Sequence, residues 1–278
     1  MNFPQRLMLQ LQGENSMQKV VVISGGTSGM GKTVGEMLEK DGNIVLAFGR
    51  NPQNGEFKVD VRNEEEVENF FNMVKEKYGH IDILINSAGY GLSGAAELAE
   101  FNEVKNLFDV NYFGSLKCVQ CALPLMQKGA KIFNISSCCA LFAMPFRIHY
   151  CASKSALSML SYGLRMELED AGIYVSTINP GDVKTKFISS RVKNFETNEK
   201  YGNRVENAQA LVEKNNSKRM SQEYASKKIY KIVCKKKPKA MYIIGKKYKV
   251  FNFLIKLFPI NCFLKVSNKI FGGKKKVK

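Results

Sequence analysis

Lys19-Val-Val-Val-Ile-Ser-Gly-Gly-Thr-Ser-Gly-Met-Gly31 decides the architecture of this chain. Its first half, Lys19 to Ser24, is a continuous apolar run rich in β-branched residues. That is the pattern of a strand buried on both faces of a parallel sheet. Its second half spaces Gly25, Gly29 and Gly31 as a turn, and Lys32 to Lys40 then takes a helical period. Val34, Met37 and Leu38 share one face of that helix, and Asp41-Gly42 stops it. A glycine motif alone is weak. Lying directly between a strand and a helix, it lets the backbone approach a pyrophosphate at the helix N-terminus.

Outward from this unit the same alternation repeats. Asn43 to Phe48 reads as a second strand, Phe57 to Val61 as a third and Ile81 to Asn86 as a fourth. Glu64 to Tyr78 is an amphipathic helix with Val67, Phe70, Phe71 and Val74 inward. Helix 101–128, strand Lys131 to Ser136, helix 150–171, strand Ile173 to Ile178 and a final strand Ala240 to Ile244 follow. The expected fold is α/β: a doubly wound, Rossmann-type parallel sheet in one domain with right-handed crossovers. We divide the chain into an extension (1–16), a catalytic domain (17–245) and a basic amphipathic tail (246–278), with no internal repeat.

The net charge of +17 is concentrated at one end. Residues 227–278 hold 17 lysines and no Asp, Glu or Arg, so the remainder is balanced. A neutral body with a basic, apolar tail points to an anionic surface touched by one end rather than to nucleic acid. The tail lacks arginine and any known nucleic-acid module, so no nucleic acid is expected as a partner. Seven cysteines without a secretory signal suggest reduced thiols in a cytoplasmic setting. Cys118-Val-Gln-Cys121 has redox spacing but falls within a helical pattern, which favours structural cysteines. No stretch reaches the roughly 20 apolar residues of a membrane span. His80 and His149 are too scattered to form a metal site, and none is expected.

Tyr150-Cys-Ala-Ser-Lys154 puts a lysine at i+4 from a tyrosine, on the same helix face. A free phenol, with a pKa near 10, is too weakly acidic to act as a base near neutrality. A neighbouring cation favours the phenolate and brings it toward the working range. Together with Asn111, Ser137 and the glycine loop, this arrangement resembles the short-chain dehydrogenase/reductase (SDR) family over about residues 17 to 250. The resemblance implies an NAD(P)-dependent oxidoreductase acting on CH–OH groups. In it Tyr150 is the acid/base and Lys154 tunes it while holding the nicotinamide ribose. Ser137, thirteen residues before Tyr150, polarises the carbonyl in preference to Ser136, and Asn111 holds a water linking the lysine to solvent.

The same resemblance assigns the cofactor contacts. Ser24, Gly25, Thr27, Ser28, Gly29, Met30 and Gly31 form the cradle; Ser24 stands where the family usually has Thr. Asn86, Ala88 and Gly89 shape the wall beside the adenine ribose, and Asp60 and Val61 meet the adenine. Pro180, Gly181, Val183 and Thr185 contribute on the nicotinamide side, Thr185 through the carboxamide. After the second strand the chain has Arg50 and no acid before Glu56. An arginine can clamp a 2′-phosphate but cannot accept from a 2′-hydroxyl, so NADP(H) is favoured over NAD(H).

The substrate is expected to meet Leu92, Met144, Phe146 and Phe187, with residues 186–226 as a mobile lid. Apolar residues there favour a hydrophobic ketone or secondary alcohol, steroid-like or lipid-derived. Residues 240–271 resemble the branch with 17β-hydroxysteroid dehydrogenase-like and acyl-dihydroxyacetone-phosphate reductase-like members. A homo-oligomer is the expected assembly. The rival classes are a nucleotide-binding sensor or scaffold without turnover, against which the complete Asn111, Ser137, Tyr150 and Lys154 set argues, and nucleic-acid binding through the tail. In the tail Phe251, Leu254, Ile255 and Phe258, then Phe263, Val266 and Ile270, recur at helical spacing. They form either short helices packed on the enzyme or roofing its pocket, or an interfacial anchor on anionic lipid, giving a cytoplasmic protein at a membrane surface.

Overall fold

The computed structural model describes residues 18–53, 55–184, 192–194, 196–214 and 219–273. Seven parallel strands form the central sheet: β1 (Val20–Ser24), β2 (Ile44–Gly49), β3 (Phe57–Lys58), β4 (Ile83–Asn86), β5 (Lys131–Ile135), β6 (Tyr174–Pro180) and β7 (Met241–Ile244). Their spatial order is β7-β6-β5-β4-β1-β2-β3, so the winding reverses between β1 and β4. Ligands of such sheets bind beyond the carboxyl ends of the strands at that reversal. Every helical connection therefore delivers a loop to the same edge.

The strand period explains both layers of core. Val20 and Val22 face one side, where they join Leu46, Phe48, Phe70, Phe71 and Ile132. Val21 and Ile23 face the other, against Val34, Leu38, Phe133, Ile178 and Ile229. The first side is covered by α2 (Glu64–Tyr78), α4 (Gly114–Ala122) and α5 (Ile148–Glu167), the second by α1 (Gly29–Lys40) and α7 (Gln222–Val233). Local chemistry sets the helix ends. Asn63 Oδ1 accepts from Glu65 N and Glu66 N and so caps α2, and Gly79, at φ +72°, closes it.

The helix expected over 101–128 is broken. It comprises α3 (Phe101–Phe108), a π-helical turn (Asp109–Phe113) and α4, which tightens into a 3₁₀ turn at Leu123–Leu125. Asn111 explains the wide turn: its side chain accepts from Tyr90 N and donates to Tyr90 O, both at 3.0 Å. Pro124 accounts for the early end, because it cannot continue the helical bonding. Within the segment expected as a polar lid lies α6 (Arg204–Lys214). The tail forms two helices, α8 (Lys246–Leu257) and α9 (Ile260–Phe271).

Candidate active site

Gly25 and Gly31 of the glycine loop are packed too closely for a side chain. Gly25 has φ +67°, and a Cβ there would lie 2.5 Å from Ala88 N. At Gly31 it would lie 2.6 Å from Gly25 O, and at Gly89 2.9 Å from Asn111 Oδ1 and 3.1 Å from Lys154 Nζ. The loop, the end of β4 and the lysine thus line one narrow cradle. Ser28 makes no side-chain cap on α1, which leaves the first N–H groups of that helix for an anion. These features fit a dinucleotide. Ser24 Oγ is occupied instead, donating to Asn86 Oδ1 at 3.2 Å. Asn86 continues through Asn134 to Ser161, fixing the strand ends to α5.

Beyond β2, the first acid, Glu56, pairs with Lys32 at 3.0 Å and accepts from Gln53 N. Arg50 is exposed. Asp60, expected beside the adenine, has its carboxylate gripped by Arg62 through Nη2 at 2.6 Å and Nε at 3.1 Å. The Arg62 hydrogen bond holds the Asp60 carboxyl below the usual carboxylate range, and Arg50 adds to this. Lys32 carried no sequence signal, since folding brings its partner Glu56 to it across 24 residues.

The chemistry-bearing groups meet at the carboxyl ends of β5 and β6. Ser137, Tyr150 and Lys154 line one cavity of about 220 Å³ with Gly89, Pro180, Gly181 and Val183. Lys154 is 3% exposed and donates to Ile135 O at 3.0 Å. Burial pushes its pKa down to about 8. Asn111 Nδ2 also contacts Ser153 Oγ at 3.0 Å, joining the π turn to the same helix. Ser136 is spent on structure: its hydroxyl donates to Lys154 O at 2.9 Å and accepts from Ser158 Oγ at 3.0 Å. Ser137 Oγ accepts from Cys139 N at 3.1 Å and faces the cavity. Beside it, a hydrogen bond from Cys151 lowers the Cys139 thiol pKa, and the charge of Arg147 contributes.

Met144 and Phe146 are on the cavity wall, whereas Leu92 is not. Leu92 lies buried with Leu107 against Tyr150, and its alternating neighbour Ser93 faces the cavity. Thr185 and Phe187, with Ile188 and Phe195, lie outside the described residues. The roof is one of the two places expected for the tail helices. It comes from Tyr248, Ile270 and Phe271 of the tail helices. The Tyr248 ring lies against Gly181, where any Cβ would overlap it, and its hydroxyl donates to Asp182 Oδ2 at 2.5 Å.

The tail face grouped by spacing is split in two. Phe251, Ile255 and Phe263 turn inward around Phe142, which meets the Phe251 ring at 4.8 Å. Leu254, Phe258, Val266 and Ile270 are exposed. His80 and His149 are peripheral, bonded to Tyr78 O and Ala96 O, and no metal-ligating cluster occurs among the described residues. Both thiols of the Cys118–Cys121 pair are raised by burial, and all seven cysteines are free. No helix among the described residues is long and apolar enough to cross a membrane.

The family model described as short chain dehydrogenase matches residues 19–195. The chain belongs to the short chain dehydrogenase family. Members of this family are oxidoreductases acting on CH–OH groups. The chain is 32% identical to the probable short-chain type dehydrogenase/reductase VdlC of Helicobacter pylori (strain J99), over 92% of its own length and 99% of that protein. It is 33% identical to the 3-ketodihydrosphingosine reductase of Bacteroides thetaiotaomicron, over 79% of this chain and 85% of the relative. A short-chain dehydrogenase from Streptomyces avermitilis shares the fold at TM-score 0.77 and 25% identity, covering 92% and 98% of the two chains. ElxO, solved with NADP bound, aligns at TM-score 0.69 and 25% identity over 84% of this chain and all of that one.

Proposed function

We propose that this family member is an NADP(H)-dependent reductase that interconverts a hydrophobic, lipid-derived ketone and its secondary alcohol. One observation carries the reading. Ser137, Tyr150 and Lys154 converge at one end of an apolar-walled cavity, directly beside a glycine cradle. A nicotinamide held there would supply or accept the hydride. Tyr150 delivers the proton to the developing alkoxide, and the Ser137 hydroxyl steadies that oxygen. Lys154 acts on Tyr150 from the next helical turn and holds the ribose hydroxyls. Asn111, in the π turn, orients the helix and the water path to the lysine. Walls from Phe142, Met144, Phe146 and Leu211 support an apolar substrate. The relative named for 3-ketodihydrosphingosine supports a keto lipid. Turnover of a panel of long-chain and steroidal ketones, followed by reduced-cofactor absorbance, tests this; no turnover of any of them would sink it.

Arg50 is the basis for the cofactor preference. Glu56 is committed to Lys32 and Asp60 to Arg62, so among the described residues no uncommitted acid stands near Arg50 for a ribose 2′-hydroxyl, and ElxO with NADP bound supports the same choice. Arg50→Asp introduces an acceptor and repels a 2′-phosphate. The ratio of kcat/KM for NADPH over NADH should fall at least about tenfold. A wild-type enzyme that already prefers NADH would remove the assignment.

The tail supports a place at an anionic membrane surface. Along α8, Tyr248, Phe251 and Ile255 face the enzyme, while Val250 (59% exposed), Phe253 (62%) and Leu257 (61%) form an outward stripe at helical spacing. An apolar stripe left outside a folded protein marks an interaction surface. Lys249 and Lys256 on α8 and Lys265 and Lys269 on α9 are exposed on the same hairpin, and each lysine near anionic lipid contributes about 1 kcal/mol. Wild type should sediment with phosphatidylserine vesicles at low salt and release as salt rises. Val250→Ser with Phe253→Ser and Leu257→Ser should bind at least about tenfold less while the inward stripe keeps the fold. Equal sedimentation of the two proteins would discard the surface. Exposed Phe113 of the π turn and Met159 and Met166 of α5 support subunit contacts in a homo-oligomer.

A further inference from the structure

Resting on the reading of the cavity as a carbonyl-substrate site, we infer that Arg147 binds an oxyanion of the substrate. The substrate class is therefore an anionic amphiphile: an apolar ketone or alcohol that also carries a carboxylate or phosphate.

Arg147 directly precedes α5 and stands one turn ahead of Tyr150. It lies on the cavity wall and is only 9% exposed. Its Nη2 is fully buried and meets no hydrogen-bond partner. Among the described residues no carboxylate pairs with it. Asp182, the acid on the cavity wall, is already held by the Tyr248 hydroxyl at 2.5 Å and by Lys247 Nζ at 3.6 Å. Native proteins nearly always satisfy buried donors, and a buried guanidinium without a counter-ion is costly. A site that keeps such a group beside its reacting residues is built to meet an acceptor supplied from outside. An oxyanion takes two guanidinium N–H groups at once, a match that a hydroxyl or ester cannot equal.

The backbone before it carries the second, independent observation. Phe146 has φ +60°, the left-handed region that a bulky residue adopts only when its surroundings impose it. Those surroundings are present. Gly94 N donates to Phe146 O at 2.9 Å. The Phe146 ring meets Tyr201 edge-on at 5.8 Å and carries the Arg204 guanidinium at 5.5 Å. Alongside it pack Ala95, Val205 and Ala208. The reversal lets Phe146 pack against α6 while Arg147 remains at the cavity wall.

The test uses the full chain with NADPH and compares octanoate and octyl phosphate with 1-octanol by calorimetry. Wild type should bind the oxyanions at least tenfold more tightly than the alcohol. Arg147→Met should lower that oxyanion-to-alcohol ratio at least tenfold, and Arg147→Lys should restore part of it. Whichever oxyanion loses more identifies the headgroup. A ratio unmoved by both variants means that the anions bind elsewhere on this basic protein, and it overturns the inference; so does a wild type that binds octanol as tightly. Turnover of a long-chain oxo acid against its methyl ester separates the two readings. An Arg147-dependent ratio without turnover of any ketone leaves Arg147 standing and removes the reductase assignment. Efficient turnover of ester over acid does the reverse.

Discussion

Tyr150→Phe should fold, bind cofactor and lose between about 10² and 10⁴ of its turnover, the range that a positioned acid/base contributes. The ring of Tyr150 is buried against Leu92 and Leu107, and phenylalanine fills the same volume. What disappears is one hydroxyl at the cavity wall. The effect should therefore fall on kcat, with the thermal midpoint and the NADPH dissociation constant close to wild type. Ser137→Ala gives a useful contrast: it removes the hydroxyl proposed to steady the same oxygen and also uncaps the short turn at Cys138–Ala140, where Ser137 Oγ accepts from Cys139 N. A Tyr150→Phe enzyme that still reduces its ketone within about threefold of wild type would take the acid/base role away from Tyr150.

What could be read from the chain was what nearby residues decide. The strand at Lys19 to Ser24, the glycine turn and the i,i+4 spacing of Tyr150 and Lys154 all rest on a few consecutive residues, and the corresponding elements appear with boundaries shifted by at most four positions. Features set by distant partners were invisible. Tyr248 reaches Asp182 across 66 residues, and Asn111 finds Tyr90 across 21, opening a π turn inside an otherwise regular helical pattern. Periodicity showed that the tail was amphipathic but not that α8 is apolar on two faces, because a stripe at 248, 251 and 255 and another at 250, 253 and 257 both satisfy helical spacing. Leu92 and Ser93 differ by one residue, and the sheet period sends one beneath Tyr150 and the other to the cavity. Arg147 looked like any surface arginine until the fold buried it.

Lys154→Met should give a protein that is more stable without cofactor and catalytically dead. Burial lowers the Lys154 pKa from 10.5 to about 8, and the amine has one backbone acceptor, Ile135 O, at 3.0 Å. That shift is equivalent to about 3 kcal/mol held against the folded state. The sign follows from proton binding. Below about pH 8 folded and unfolded chains both carry the proton, and the full cost is present. Between about pH 8 and 10.5 the unfolded chain keeps a proton that the folded one has released, so wild-type stability relative to the variant rises with pH. Methionine removes the buried charge and keeps much of the packing, but it strands Ile135 O, which gives back about 1 kcal/mol. The net gain at pH 7 should be about 2 kcal/mol, a few degrees in Tm, shrinking as pH approaches 10. Denaturant unfolding of both proteins without cofactor, across pH 7 to 10, reads this directly. Added NADPH should reverse the order, because only the lysine can hold the ribose. A variant less stable than wild type at pH 7, or a difference that does not change with pH, would mean that the fold has already compensated the buried ammonium. The cation would then no longer be a cost that the site bears for its chemistry.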